Sequence, residues 1–232
     1  MTQSFSDIAN LDKKEQPLAY RNLARCGDSE AALEYATLVW KDKYKGEAVG
    51  GKVPDAEKQL ARQEAVDFLM ELSNNGSLEC SLKGAYATFK GIRGAQDKVL
   101  CKNNNKAAIQ FITNALSHNP DDQLASKLCL MRALSLTKDQ RSKEDVIAAL
   151  EQAASYDTSF GRRAKAHLGS YAYLDGDYDK AITLLESYDN ITTAVLLKLI
   201  YKSHRKNDEK HDFYHKKALE LCKQKIDKSE DL

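Results

Sequence analysis

Three side chains toward the carboxyl end have the types and spacing of a metal site. His211 and His215 stand four residues apart, and Cys222 follows seven residues beyond His215. One helix face could present all three to zinc. The segment His211-Asp212-Phe213-Tyr214-His215 lacks the glutamate that a zincin uses as its base, and no fourth ligand is evident. The pair therefore reads as solvated or helix-capping histidines. Gly50-Gly51-Lys52 sets a glycine pair before a lysine, but without P-loop spacing or a preceding strand to aim it. Asp175 and Asp177 form a carboxylate pair inside an evident turn. Cys101 lies in a polar stretch and reads as an exposed thiol with no adjacent base to activate it. Neither GxSxG nor GxGxxG occurs. No catalytic residue, no metal and no cofactor is expected, and the chain is read as a non-enzyme.

Charge narrows the partners. Lys and Arg number 35 against 34 Asp and Glu, a formal net charge of +1. A protein that grips phosphates needs a basic excess. The densest basic stretch, from Lys202 to Lys217, is interrupted by Asp208, Glu209 and Asp212, and reads as a solvated helix face. Nucleic acid is therefore the minor alternative. The five cysteines are odd in number, scattered and without a CxxC pair, which fits reduced thiols in a cytoplasmic protein. The first sixteen residues lack the basic and apolar regions of a signal peptide. No apolar run reaches the roughly 18 residues of a membrane span. The closing Ser-Glu-Asp-Leu resembles an ER-retrieval tetrapeptide only by chance.

The elements that must position any site are helices. Only 3 prolines and 11 glycines occur among 232 residues, too few for a chain of many tight β-turns. An apolar residue followed by apolar partners one, three, four and seven positions later marks one broad helix face. Ala65, Val66, Phe68, Leu69 and Leu72 satisfy that template. So do Ala108, Ile109, Phe111, Ile112 and Ala115, then Val146, Ile147, Ala149, Leu150 and Ala153, then Ala181, Ile182, Leu184, Leu185 and Tyr188. From Val66 to Ile109, Ile147 and Ile182 the steps are 43, 38 and 35 residues. A weaker fifth copy, Ala218, Leu219, Leu221 and Cys222, fails the template at its last position, Lys225. A second apolar helix precedes each copy. Gly84 and Gly169 lie inside two of these helices, where glycine costs roughly 1 kcal/mol relative to alanine, so close approach of a neighbouring helix is expected at both.

Turn clusters separate the helices at 26–29, 73–77, 117–122, 175–177 and 204–208. Asp121 and Asp177 stand at N-cap positions. Pro17 suits the first turn of an initial helix running to Arg25.

The segment from Leu168 to Ile182, with its Leu168-Gly169 pair, Gly176-Asp177-Tyr178 turn and following Ala181, resembles a tetratricopeptide repeat. The other copies are longer, and their expanded loops and period resemble Sel1-like repeats, a sister group. The fold class implied is all-α: an α-α superhelix, or solenoid, of about five helix-turn-helix repeats. A helical-repeat domain is expected over residues 17–225, with a partly ordered N-terminal arm (1–16) and a flexible C-terminal tail (226–232). Two stretches interrupt the period, residues 43–60 and 91–105. They are plain insertions or, since they belong to adjacent repeats, neighbours that add to a binding surface.

The resemblance implies that a partner peptide or helix docks on the face lined by the first helix of each pair. The residues it places there are Thr37, Trp40 and Lys41, then Ala85, Thr88 and Phe89, then Arg163, Ser170 and Tyr173. Trp40, the only tryptophan, is either a core plug or a hot spot. The chaperone-binding subgroup of the family uses a basic, Asn-containing clamp; Ser170 stands at the Asn position and departs from it. The expected function is a scaffold or adaptor binding another protein. The alternatives are a bacterial secretion chaperone or toxin-immunity protein and, in a different class, an enzyme or nucleic-acid binder on a helical-repeat scaffold.

Overall fold

A computed structural model describes residues 4–13, 15–41, 55–93 and 99–230. Two compact units emerge. The first comprises residues 1–120 and 134–141, the second residues 121–133 and 142–232. Gly50-Gly51-Lys52 and Pro54 lie outside the described residues.

The first unit holds α1 (Phe5–Ala9), α2 (Gln16–Arg25), α3 (Ser29–Trp40), α4 (Asp55–Asn74), α5 (Leu78–Lys90) and α6 (Asn105–Leu116). Each of these helices packs on the next from α1 to α6. In addition α3 meets α5 and α4 meets α6, the first-on-first and second-on-second stacking of helical repeats. Helix α7 (Asp122–Lys138) contributes its residues through Ala133 to the second unit and those from Leu134 to the first. The second unit continues with α8 (Lys143–Ala154), α9 (Ser159–Leu174), α10 (Tyr178–Leu185), α11 (Ile191–Ser203) and α12 (Asp208–Glu230). Here α8 to α12 pack consecutively, and α9 meets α11. Among the described residues α3 with α4, α5 with α6, α9 with α10 and α11 with α12 are packed pairs, and α2 precedes the first of them in sequence, as the period implies. None of the described helices is long and apolar enough to cross a membrane.

The apolar template explains the packing. All twenty of its positions are buried or half-buried, and Ala65, Leu69, Ala108, Phe111, Ile112, Ala149, Ala153 and Ala181 are fully so. The turns are sharpened by side-chain caps. Asp28, Ser77, Asn104, Ser142, Thr158, Asp177 and Asn190 each accept a hydrogen bond from the backbone N–H three residues on, worth about 1 kcal/mol each. Asp121 does the same for Leu124 at 2.8 Å. Gly84 meets the expected close approach: a Cβ there would sit 2.3–2.5 Å from three ring atoms of Phe111. At Gly169 it would sit 2.8 Å from Leu185 Cγ.

Polar contacts tie the helices. Glu64 on α4 accepts from Arg21 Nε at 2.7 Å and Arg25 at 2.8 Å on α2, and from the Tyr35 hydroxyl on α3 at 3.0 Å. Burial pushes its carboxyl up, but these hydrogen bonds outweigh it and hold the pKa below the ordinary 4.5. In the second unit the Tyr214 hydroxyl on α12 donates to Glu186 at 2.8 Å, against a core of Ala181, Leu185, Leu197 and Ile200.

One departure from the all-α reading lies in the 91–105 segment, where β1 (Ile92–Arg93) pairs antiparallel with β2 (Val99–Cys101). Gly91 makes the entry: its φ is +69°, and a Cβ would sit 2.9 Å from the Cys101 carbonyl oxygen. The N-terminal arm carries α1, whose Ile8 is fully buried and whose Phe5 ring lies 5.4 Å from that of Tyr20.

Candidate functional site

In the first unit the sequence-derived positions divide. Thr37 on α3 is half-buried; its hydroxyl donates to the Leu33 carbonyl and accepts from Lys83 Nζ on α5. Lys41 is exposed at the end of α3. Trp40 is only 5% exposed and Thr88 only 1%, with the Thr88 hydroxyl donated to the Gly84 carbonyl at 2.6 Å. Ala85 is fully buried. Trp40, Thr88 and Ala85 are therefore corrected to interior positions, because each first helix buries one flank against its own partner and another against the next pair. Phe89 is half-buried under Lys138 Nζ, 5.3 Å from its centroid. Sequence reasoning missed Lys83, which burial, before any nearby charge, holds below the ordinary lysine range.

Of the two long segments, residues 43–54 and 94–98 lie outside the described residues, and the described parts share one lining. Gln59 and Leu60, from residues 43–60, and Cys101, Asn103 and Asn105, from residues 91–105, line one cavity of about 930 Å³. Arg62, 4% exposed, stands in its wall. Cys101 is corrected from exposed to buried, and burial raises its thiol pKa, which makes it a poor nucleophile.

In the second unit Arg163 and Ser170 are brought together on α9. They line a cavity of about 500 Å³ with His167, Thr192 and Thr193 of α11, and Lys225 of α12. The N-terminus of α11 faces this space, its cap Asn190 among the lining residues. Arg163 is exposed and Ser170 half-buried, the Ser170 hydroxyl donating to the Ala166 carbonyl at 3.1 Å. Burial, then the neighbouring Arg163, pushes the His167 pKa down, so its ring is neutral at pH 7. Tyr173 does not join them. It packs against Tyr178 across the turn, with ring centroids 5.9 Å apart, beside the core of α10 and α11. Lys225 was legible only as the position where the fifth apolar copy fails.

The His211 and His215 rings stack 6.2 Å apart, and His211 Nδ1 lies 2.9 Å from Asp212 Oδ1. Among the described residues no group of three His, Cys, Asp or Glu side chains could hold a metal ion.

The fold has solved counterparts. The crystal structure of MamA superposes with a TM-score of 0.52 at 18% identity, covering 75% of this chain and 95% of that one. The crystal structure of a Sel1 repeat protein from Oxalobacter formigenes gives 0.50 at 19% identity, over 91% of this chain and 79% of the other. At such identities the likeness is one of fold. No family model matches the sequence, and no curated protein does.

Proposed function

From a helical-repeat fold of the tetratricopeptide and Sel1-like kind, we propose that this protein is an interaction module that seats a segment of another protein against α9 and α11. The observation that carries this reading is the cavity of about 500 Å³, which joins Arg163 and Ser170 of one first helix to Thr192 and Thr193 of the next. A space of this size matches what a few partner side chains fill. Its walls mix exposed polar groups with Ala166, Ile191 and Leu221, the composition of a surface that positions a peptide by hydrogen bonds and holds it by apolar contact. Catalysis is not favoured there. The Ser170 proton is committed to a backbone carbonyl, so His167 and Ser170 do not form a base and nucleophile pair. The scattered cysteines support a cytoplasmic address, as a scaffold or adaptor.

Thr192 is exposed, so Thr192→Trp fills the cavity without touching the core. Proteins captured from a lysate of the source cells by the wild-type chain, and lost by this variant at unchanged helicity, are the expected result. Capture that survives Thr192→Trp contradicts the reading.

A further inference from the structure

The cavity between α9 and α11 has a charge that the chain as a whole lacks. The protein is nearly neutral, at a formal +1. Arg163 and Lys225 both line this one space, from α9 and α12, and both are exposed. Among the described residues neither makes an ion pair. Asp189, the carboxylate in the same wall, is already engaged by Lys217 Nζ at 2.5 Å. Lys225 occupies the position where the apolar template of its helix requires a core residue, yet it faces the cavity. The amino end of α11, a 13-residue helix, adds a partial positive charge from the same side. Its cap satisfies the Thr193 N–H at 2.9 Å, while among the described residues the Ile191 and Thr192 N–H groups meet no acceptor.

We propose that the partner segment in this cavity is acidic, placing an Asp or Glu carboxylate between Arg163 and Lys225 at the amino end of α11. Its adjacent aliphatic side chain rests on Ile191 and Leu221. This rests on the docking site proposed above and names its ligand class. Two cations and one helix end suit a single carboxylate. A phosphate backbone would need a longer row of cations and would leave the apolar wall bare. Because both cations are exposed, they govern selection among partners and the association rate more than total affinity.

The test is a selection. A random displayed-peptide library is panned on the full-length wild-type chain and on the doubly charge-reversed Arg163→Glu/Lys225→Glu chain, both first shown to be equally helical. The wild type is expected to enrich peptides carrying Asp or Glu next to an aliphatic residue. The reversed chain is expected to enrich Lys or Arg in that place. An end-blocked synthetic copy of the leading wild-type peptide should bind the reversed chain about tenfold or more weakly by fluorescence anisotropy. It should bind Thr192→Trp not at all. Neutral or basic winners that Thr192→Trp still blocks would overturn the acidic assignment and leave the docking site standing. Winners indifferent to Thr192→Trp, or no enrichment, would overturn both. A poly-thymidine oligonucleotide that displaces the peptide and binds more tightly would replace the ligand class with nucleic acid.

Discussion

Replacing Gly84 with alanine tests how closely the stacked repeats of the first unit approach. The added Cβ would lie 2.3 Å from Phe111 Cε1, and ordinary van der Waals contact begins near 3.4 Å, so the ring must withdraw by about 1 Å. Phe111 is fully buried on α6, and three of its ring atoms crowd the same point, so rotation about one bond cannot clear them all. Overpacking of this kind costs about 1–3 kcal/mol. Alanine returns roughly 1 kcal/mol of helix propensity. Three ring atoms within 2.5 Å place the cost in the upper part of that range, so the net expectation is a loss of about 1–2 kcal/mol in urea denaturation, with an unchanged slope. Phe111→Leu opens a cavity and is itself destabilising, but the double variant should be more stable than the sum of the two losses allows, because the leucine yields the space the methyl needs. At Gly169 the nearest atom is Leu185 Cγ at 2.8 Å, in a more adaptable side chain, so Gly169→Ala should cost less. A neutral or stabilising Gly84→Ala would refute the reasoning, since the helices would then not be in contact at that point.

Other expectations follow from the same packing. Trp40→Ala, at a residue 5% exposed, should cost about 3–5 kcal/mol in chemical denaturation. Trp40→Phe should cost far less, because it keeps most of the buried ring volume and loses only an indole N–H that has no hydrogen-bond partner among the described residues; an unchanged midpoint for Trp40→Ala would place this side chain outside the core. The Glu64 carboxyl, held below its ordinary pKa of 4.5, contributes stability that is present above that value and lost as pH falls through the lowered folded-state pKa. Thermal unfolding followed from neutral pH into that window should show Glu64→Gln less stable at pH 7 and less sensitive to acid, and an identical acid slope would remove Glu64 from the α2, α3 and α4 lock. Gly161→Ala should be more damaging than Gly169→Ala by calorimetry, because its Cβ would meet the Tyr156 backbone carbonyl oxygen at 2.0 Å, and a backbone atom yields less readily than a side chain. Equal losses at the two glycines would argue against that contact.

The helix pairs were readable because second helices such as α6 and α8 bury a single broad face, and a single face imposes a single period. Gly84 and Gly169 were readable for a different reason: a helix interior accepts glycine only where contact compensates its cost. The site was harder. First helices contact neighbours on two sides, so a polar or aromatic residue one position away changes from groove to core. Arg163 and Ser170, seven residues apart, fall on nearly the same stripe of α9 and stayed together. Tyr173 turned onto Tyr178, and Trp40 turned inward at the end of α3. Lys225 was seen only as a failed apolar position, since family logic assigns the groove to first helices, whereas α12 also reaches it. The short β1 and β2 ladder depends on pairing across residues 92–101, which no helical period reveals.

The central claim is that a partner segment occupies the space between α9 and α11. Backbone amide NMR of the full chain, titrated with a captured partner fragment, tests it most directly. The account predicts that shifts concentrate on Arg163 to Ser170 and Asn190 to Thr193, with Thr192→Trp abolishing them. Shifts confined to α8 and α10, or to the first unit, would contradict it.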